Sequence, residues 1–280
     1  MRHAPILLRA SARSANQFSL RHSSRIRPAD GKGQPTRDAA GRHPVVSCRG
    51  AAPPIRNARE RYPVNDDVPP RAEHSPLISH ADTTRRTLAH YEATAAEFQE
   101  GTRDHDVAEN VAALLDAIEG PPPCTILDFG CGPGRDLRTF RDRGHVAVGL
   151  DGASAFVAMA RASTGCEIRH QDFLALDLPA ARFDGVFANA SLFHVPSREL
   201  PRVLRDLWCS LRPRGVLFAS NPRGSNREGW QRNCYGVWHD LAGWRAYCTA
   251  AGFVEVRHFY RPPGRPRSQQ PWLASVWRKR

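Results

Sequence analysis

The chain has 280 residues, enough for one large domain with an extension or for two small domains. Apolar residues make up 41% of it, and no run approaches the roughly 18 apolar residues that a membrane-crossing helix needs, so a soluble protein without a membrane partner is expected. The formal charge of +12 is almost all arginine, Lys32 and Lys279 being the only lysines; a GC-rich coding sequence and affinity for phosphate-bearing partners both account for it.

The seven cysteines, Cys48, Cys124, Cys131, Cys166, Cys209, Cys234 and Cys248, form no C-x-x-C pair. The histidines lack metal-ligand spacing. Both facts argue against a metal site and a disulfide framework and fit reduced thiols.

Residues 1–81 are rich in Arg, Ser, Pro and Ala and carry no sustained period; Pro53-Pro54 and Pro69-Pro70 punctuate them. Such a segment buries too little apolar surface to offset its ordering entropy, so a disordered basic extension is expected. Ile6-Leu7-Leu8 is too short for a signal-peptide core. The first 29 residues hold six arginines and no acid, the composition of an organelle transit peptide; a disordered arm or a misplaced start codon are the alternatives. The expected location is cytoplasmic, or mitochondrial if these residues are a transit peptide.

Order is expected from Asp82. Thr84–Gln99 carries Leu88, Tyr91, Ala95 and Phe98 at helical spacing, and 104–119 carries Val107, Val111, Leu114, Leu115 and Ile118 likewise. Gly120 and Pro121–Pro123 stop that second helix. From Cys124 the pattern alternates. Strands are expected at Thr125–Phe129, Val146–Leu150, Glu167–His170, Phe183–Ala188 and Val216–Ala219. Helices are expected at 137–143, 153–162, 198–211 and 241–251. Two final strands, 254–260 and 273–277, are joined through the Pro/Gly-rich link Pro262–Pro271. Residues 221–239 read as a glycine-containing loop.

This alternation predicts an α/β fold: a Rossmann-like doubly wound sheet, mostly parallel with a C-terminal antiparallel hairpin, and helices on both faces. Residues 82–123 would form capping helices and 124–280 the core. Ligands of such sheets bind outside the carboxyl ends of the strands. Asp128 to Gly134, Asp151, Asp172 and Asn189 all fall at those ends.

Gly130, Gly132 and Gly134 permit a tight turn and close backbone approach, and the following helix presents its positive end. Asp151, at the end of the next strand, can accept both hydroxyls of a ribose; capping of the following helix is its alternative role. The spacing G-x-G-x-G differs from the dinucleotide fingerprint G-x-G-x-x-G, which disfavours a nicotinamide cofactor, and no P-loop lysine is present.

The run Ile126-Leu-Asp-Phe-Gly-Cys-Gly-Pro-Gly-Arg135 resembles the first motif of class I S-adenosylmethionine-dependent methyltransferases, of the type 11/25 kind. Asp151, Asp172-Phe173 and Phe183-Asp-Gly-Val-Phe-Ala-Asn189 fall where that family's later motifs lie. The resemblance covers Cys124 to about Ala219. It implies S-adenosyl-L-methionine as cofactor and a site made of Asp128, Gly130, Cys131, Gly132, Gly134, Asp151, Gly152, Asp172, Phe173, Asn189 and Tyr91. Asp128 and the glycines would face the methionine portion, Asp151 the ribose, Asp172 and Phe173 the adenine, and Asn189 the sulfonium. Tyr91 would cover the cofactor, with Thr102, Arg103 and His105 completing a lid.

Methyl transfer needs alignment and, where the nucleophile carries a proton, a base. His194 in Leu192-Phe-His-Val is the expected base, a structural histidine being the alternative. Asn221, Arg223, Trp230, Tyr235 and His239 are expected around the acceptor, though the aromatics also suit a core. Asn189-Ala-Ser-Leu is not the Asn/Asp-Pro-Pro-aromatic motif of base-amino methylases, which disfavours methylation of DNA amines. The expected activity is methylation of a small molecule. An RNA or protein methyltransferase anchored by the basic arm, and a non-catalytic S-adenosylmethionine-binding protein, remain open.

Overall fold

The computed structural model describes residues 80–280; the expected extension before His80, transit-like segment included, lies outside the described residues. Two helices lead the chain, α1 (His80–Thr102) and α2 (Ala108–Leu115). α1 runs beyond the expected Thr84–Gln99 at both ends and bends at Thr94, whose φ of −116° and ψ of 15° are not helical. α2 is shorter than expected. Asp106 holds the amide of Ala108 at 2.9 Å and sets its start, and the chain leaves the helix at Asp116, ahead of Gly120.

The core then alternates: β1 (Thr125–Phe129), α3 (Arg135–Asp142), β2 (Val146–Asp151), α4 (Ser154–Thr164), β3 (Glu167–His170), β4 (Phe183–Asn189), α5 (Leu200–Ser210) and β5 (Leu211–Pro222). After β5 come β6 (Arg227–Gln231), β7 (Cys234–Trp238), α6 (Leu241–Ala250), β8 (Phe253–Arg261) and β9 (Trp272–Lys279). Gly165, at φ 66°, closes α4, and the Asp240 side chain caps α6 by accepting from the amide of Gly243 at 2.7 Å.

Seven strands form one sheet in the order β3-β2-β1-β4-β5-β9-β8. The first five are parallel; β9 runs antiparallel to both β5 and β8. This is the expected doubly wound sheet with its terminal hairpin, joined through the Pro262–Pro271 link. β5 is longer than Val216–Ala219. Leu211 pairs with Phe183 as soon as α5 ends, residues 212–214 turn out to solvent, and Val216 rejoins opposite Gly185.

Residues 221–239 are not a loop. β6 and β7 pair antiparallel as a separate two-stranded sheet whose tip is Arg232-Asn233.

Apolar residues bury on both faces of the large sheet. On one side Val203, Leu204 and Leu207 of α5 and Trp244 and Cys248 of α6 pack against Leu127, Phe129 and Leu217. On the other, Val111 and Leu114 of α2, Leu137 and Phe140 of α3, and Val157 and Ala160 of α4 cover Ile126, Phe187 and Phe218. Two covered faces explain why the parallel strands read as continuous apolar runs. Among the described residues no helix is long and apolar enough to cross a membrane, and no group of His, Cys, Asp and Glu could hold a metal. The six described cysteines are free thiols.

Candidate cofactor and acceptor site

β1 lies between β2 and β4, so the order reverses at β1 and a crevice opens past the carboxyl ends of β1 and β4. The glycine loop enters it from β1. Gly130 has φ of +79°, and a Cβ there would run into the Ser191 side chain and come within 3.2 Å of the Phe173 ring. Gly134, at φ 91°, starts α3; a Cβ there would lie 2.8 Å from Thr164 Cγ2, so its absence lets α3 rest on α4. Both positions therefore require glycine by conformation and by space.

Asp151 is buried, with its Oδ2 accepting from the amide of Gly132 and its Oδ1 from that of Ala153, each at 2.9 Å. One carboxylate thus ties the glycine loop to the start of α4, the Gly152 amide adding to its stabilisation, and lone-pair capacity remains for a ligand. Burial pushes its pKa up against the opposing effect of these amide bonds. Gly152 sits beneath Leu88 of α1, and its carbonyl meets His170 Nε2 at 3.0 Å.

Asp128 is 2% exposed and its Oδ2 has no hydrogen-bond partner. Burial first, and the neighbouring Asp136 second, push its pKa well above the carboxylate range, with Arg135 opposing. Ser191 Oγ, beyond β4, and Asn221 Oδ1, near the end of β5, are likewise buried without partners. Orphaned buried polar atoms are costly and rare. Their concentration at one edge of the sheet suits a polar ligand, and an acidic orphan suits a cationic group on it. The Cys131 thiol is buried, and burial raises its pKa well above the usual thiol range.

Asn189 is held from two sides. Its Oδ1 accepts from Asn110 Nδ2 of α2 at 3.0 Å, and its Nδ2 donates to Asp136 Oδ2 at 3.3 Å. Asp136 also pairs with Arg135, whose Nη1 donates to the carbonyl of Thr102 at 2.9 Å. The network joins both leading helices to β4 and α3. Asp172 folds back on its own turn, accepting from the amide of Leu174 at 2.8 Å, and Phe173 stacks on Phe129 with ring centroids 4.2 Å apart.

Helix α1 lies across this edge. Tyr91, Phe98 and Phe156 form an aromatic cluster with Ala153, and Phe98 comes within 3.7 Å of the space a Cβ on Gly132 would take. Glu92 accepts from the amides of Ser154 and Ala155, the latter at 3.0 Å, and so caps α4, whose own first residues offer no side-chain cap. Burial opposes its ionisation, but these amide bonds bring its pKa down. Thr102 and Arg103 border an open hollow of about 240 Å3 with Arg135 and Arg138, beside the loop. Arg103 pairs with Glu100, and His105 is exposed.

The short 3-10 turn Leu192–His194 after β4 carries His194. Its Nδ1 lies 2.7 Å from the carbonyl of Tyr235 in β7 and its Nε2 lies 2.8 Å from the Tyr91 hydroxyl. A carbonyl only accepts, so Nδ1 carries the hydrogen and Nε2 receives the Tyr91 proton. Burial first brings the His194 pKa down from 6.5 to about 4. Trp230 packs edge-on to Tyr235 and carries Arg86 over its face at 4.2 Å. Arg223 turns away from the crevice to the carbonyls of Arg267 and Gln270. His239 is buried beside Trp244 and Tyr247 with neither ring nitrogen bonded.

Sequence reasoning missed Glu92, Asn110, Asp136, Ser191 and Cys234. Ser191 alone had a local signal, two residues past Asn189 at a strand end; the others act on partners remote in sequence.

The profile of a methyltransferase domain family matches residues 126–215. The malonyl-[acyl-carrier protein] O-methyltransferase of Enterobacter lignolyticus is 33% identical over 124 residues, 42% of this chain and 49% of that protein. The 18S rRNA (guanine-N(7))-methyltransferase of Schizosaccharomyces pombe is 31% identical over 125 residues, 39% of this chain and 44% of that protein. The chain thus spans about half the length of these curated relatives or less. Among solved structures, Burkholderia thailandensis 1,6-didemethyltoxoflavin-N1-methyltransferase, with 1,6-didemethyltoxoflavin and S-adenosylhomocysteine bound, superposes with a TM-score of 0.60. That match has 21% identity and covers 74% of this chain and 93% of that one.

Proposed function

We propose that this chain is a class I S-adenosylmethionine-dependent methyltransferase that transfers the cofactor's methyl group to a small-molecule acceptor. The observation that carries the reading is the crevice beyond β1 and β4, where buried polar atoms of Asp128 and Ser191 lack partners. These residues fit the cofactor. Asp128 would sit beside the ammonium of its methionine portion, and Asp151 would receive the ribose hydroxyls on its unused lone pairs. When bound, S-adenosylmethionine supplies a methyl group already activated on a sulfonium. The chain's own residues orient the acceptor, exclude water and take up any proton the acceptor loses.

Helix α1 and the β6–β7 hairpin support the small-molecule reading. The amide of Tyr235 donates to Thr87 Oγ1 of α1 at 3.1 Å, so the two elements are tied together, and as a joint cover they would narrow the entrance to the crevice. A curated relative acts on rRNA, and the basic extension would suit such an acceptor here. Radiolabelled methyl transfer separates the readings. Small acceptors should be labelled equally well by the full chain and by a chain lacking residues 1–81. Labelling of RNA alone, lost with residues 1–81 and weakened steeply by salt, would overturn the small-molecule assignment.

A further inference from the structure

Three elements converge on one hydroxyl. Tyr91 comes from α1, His194 from the turn after β4, and Cys234 and Tyr235 from β7. The Tyr91 hydroxyl donates to His194 Nε2 at 2.8 Å, and Tyr91 also opposes the rise that burial gives the pKa of the neighbouring Cys234 thiol. The two rings stand nearly perpendicular, at 82°. His194 cannot turn away, because its Nδ1–H is held by the Tyr235 carbonyl, and Tyr235 is tied through its amide to Thr87, one turn of α1 before Tyr91. The expected base is therefore covered: its only basic nitrogen is engaged by a hydroxyl rather than open to an acceptor.

The hydroxyl, in turn, lies at the cofactor crevice. Tyr91 packs on Phe98 and Phe156, Phe98 approaches Gly132, and His194 stands three residues past Ser191, which abuts Gly130. The geometry points to Tyr91 as a catalytic proton acceptor, with His194 as the group that receives the proton Tyr91 gives up. This rests on the methyltransferase reading above and narrows it. The acceptor's nucleophile carries a hydrogen, as a phenol, a thiol or a heteroaromatic N–H does, and is not a carboxylate, which arrives without one at neutral pH.

The balance is simple. The nucleophile loses one proton to Tyr91 Oη as Oη–H passes to His194 Nε2. The electron pair left on the nucleophile forms its bond to the methyl carbon, and the pair of the old carbon–sulfur bond stays on sulfur. Tyr91 ends unchanged and His194 ends as imidazolium, its Nδ1–H still on the Tyr235 carbonyl. The crevice thereby exchanges one positive charge, lost from sulfur, for another on His194. A buried imidazole that resists protonation beside a sulfonium accepts a proton more readily when that charge disappears.

The test uses the full chain with Tyr91→Phe and His194→Gln variants, their folds checked by circular dichroism. 4-Nitrophenol, 4-nitrothiophenol and benzimidazole serve as proton-bearing probes, benzoate and a malonyl thioester as carboxylate probes. Radiolabel should pass to proton-bearing probes and fall about 100-fold in kcat in both variants, with little change in probe KM. An optical measurement needs no turnover. 4-Nitrophenol bound to the S-adenosylhomocysteine-loaded protein at mildly acidic pH should show the red-shifted band of a neutral phenol that donates a hydrogen bond to Tyr91, and Tyr91→Phe should lose the shift. Label confined to carboxylates, no label in any proton-bearing probe, or a Tyr91→Phe variant that keeps both the rate and the shifted band would overturn the assignment. Failure of S-adenosylhomocysteine to bind at all, read by calorimetry, would instead sink the methyltransferase reading beneath it.

Discussion

The hydroxyl of Tyr91 lies 2.8 Å from Nε2 of His194, joining the leading helix to the turn beyond β4 across 103 residues of sequence. The pair has a measurable thermodynamic signature. The His194 pKa is brought down from 6.5 to about 4 in the folded chain, so the unfolded chain binds the extra proton first. His194 therefore supports the fold fully above pH 6.5 and loses that support as pH falls toward 4, by up to about 3 kcal/mol. His90, which opposes protonation of the ring, Cys234 and Tyr235 are the titratable groups near it. Denaturant titrations across pH should show this loss in the wild type and a flatter profile in His194→Gln. Identical profiles would contradict the buried neutral imidazole.

Glu92 of α1 holds the first amides of α4. Because it supplies the cap that α4 lacks, Glu92→Ala should cost about 1 kcal/mol. Amide exchange across His80–Thr102 should quicken in the same variant. The nearby Glu97, exposed and outside this contact, provides the control: Glu97→Ala should change neither measurement.

Gly130→Ala sets a side chain against Ser191 and Phe173 at a backbone φ of +79°. Left-handed backbone and overpacking together should cost on the order of 3 kcal/mol. Thermal melts of the single variant and of Gly130→Ala with Ser191→Gly separate the two causes. The second change should restore part of the loss by removing the contact but not the backbone strain.

Asp128 separates stability from binding. Its carboxyl group is buried with Oδ2 unpartnered, and burial pushes its pKa well up, so Asp128→Asn removes a group that is costly to ionise there. The melting temperature should hold or rise while affinity for S-adenosylhomocysteine falls at least about tenfold. A destabilised variant with unaltered affinity would show that Asp128 serves the fold alone.

The parallel core was legible because its strands are buried on both faces and its helices have clear stops; Gly144, Gly252 and Pro121–Pro123 marked boundaries within a few residues. The glycine loop was legible for a stronger reason, since Gly130 and Gly134 answer to both conformation and space. The β6–β7 hairpin was not. Its tip, Arg232-Asn233, lacks the glycine that usually marks a two-residue turn, and Arg232 takes a φ of 55° there. Its strands mix Arg227, Glu228 and Gln231 with aromatics and so carry no clean alternation. The partners of His194 were hidden for the same physical reason as Glu92 and Asn110. A side chain's role in a polar network depends on which distant element packs beside it, and neither spacing nor propensity encodes that.

Asp151 offers the most direct test of the cofactor assignment. Its two oxygens each hold one backbone amide at 2.9 Å, leaving lone pairs for a ribose. Calorimetric titration of S-adenosylhomocysteine and, separately, NADH into the wild type and Asp151→Ala measures this. S-adenosylhomocysteine should bind the wild type, bind Asp151→Ala at least about tenfold more weakly, and NADH should bind neither. Binding of NADH without S-adenosylhomocysteine, or equal S-adenosylhomocysteine affinity in both proteins, would contradict the account.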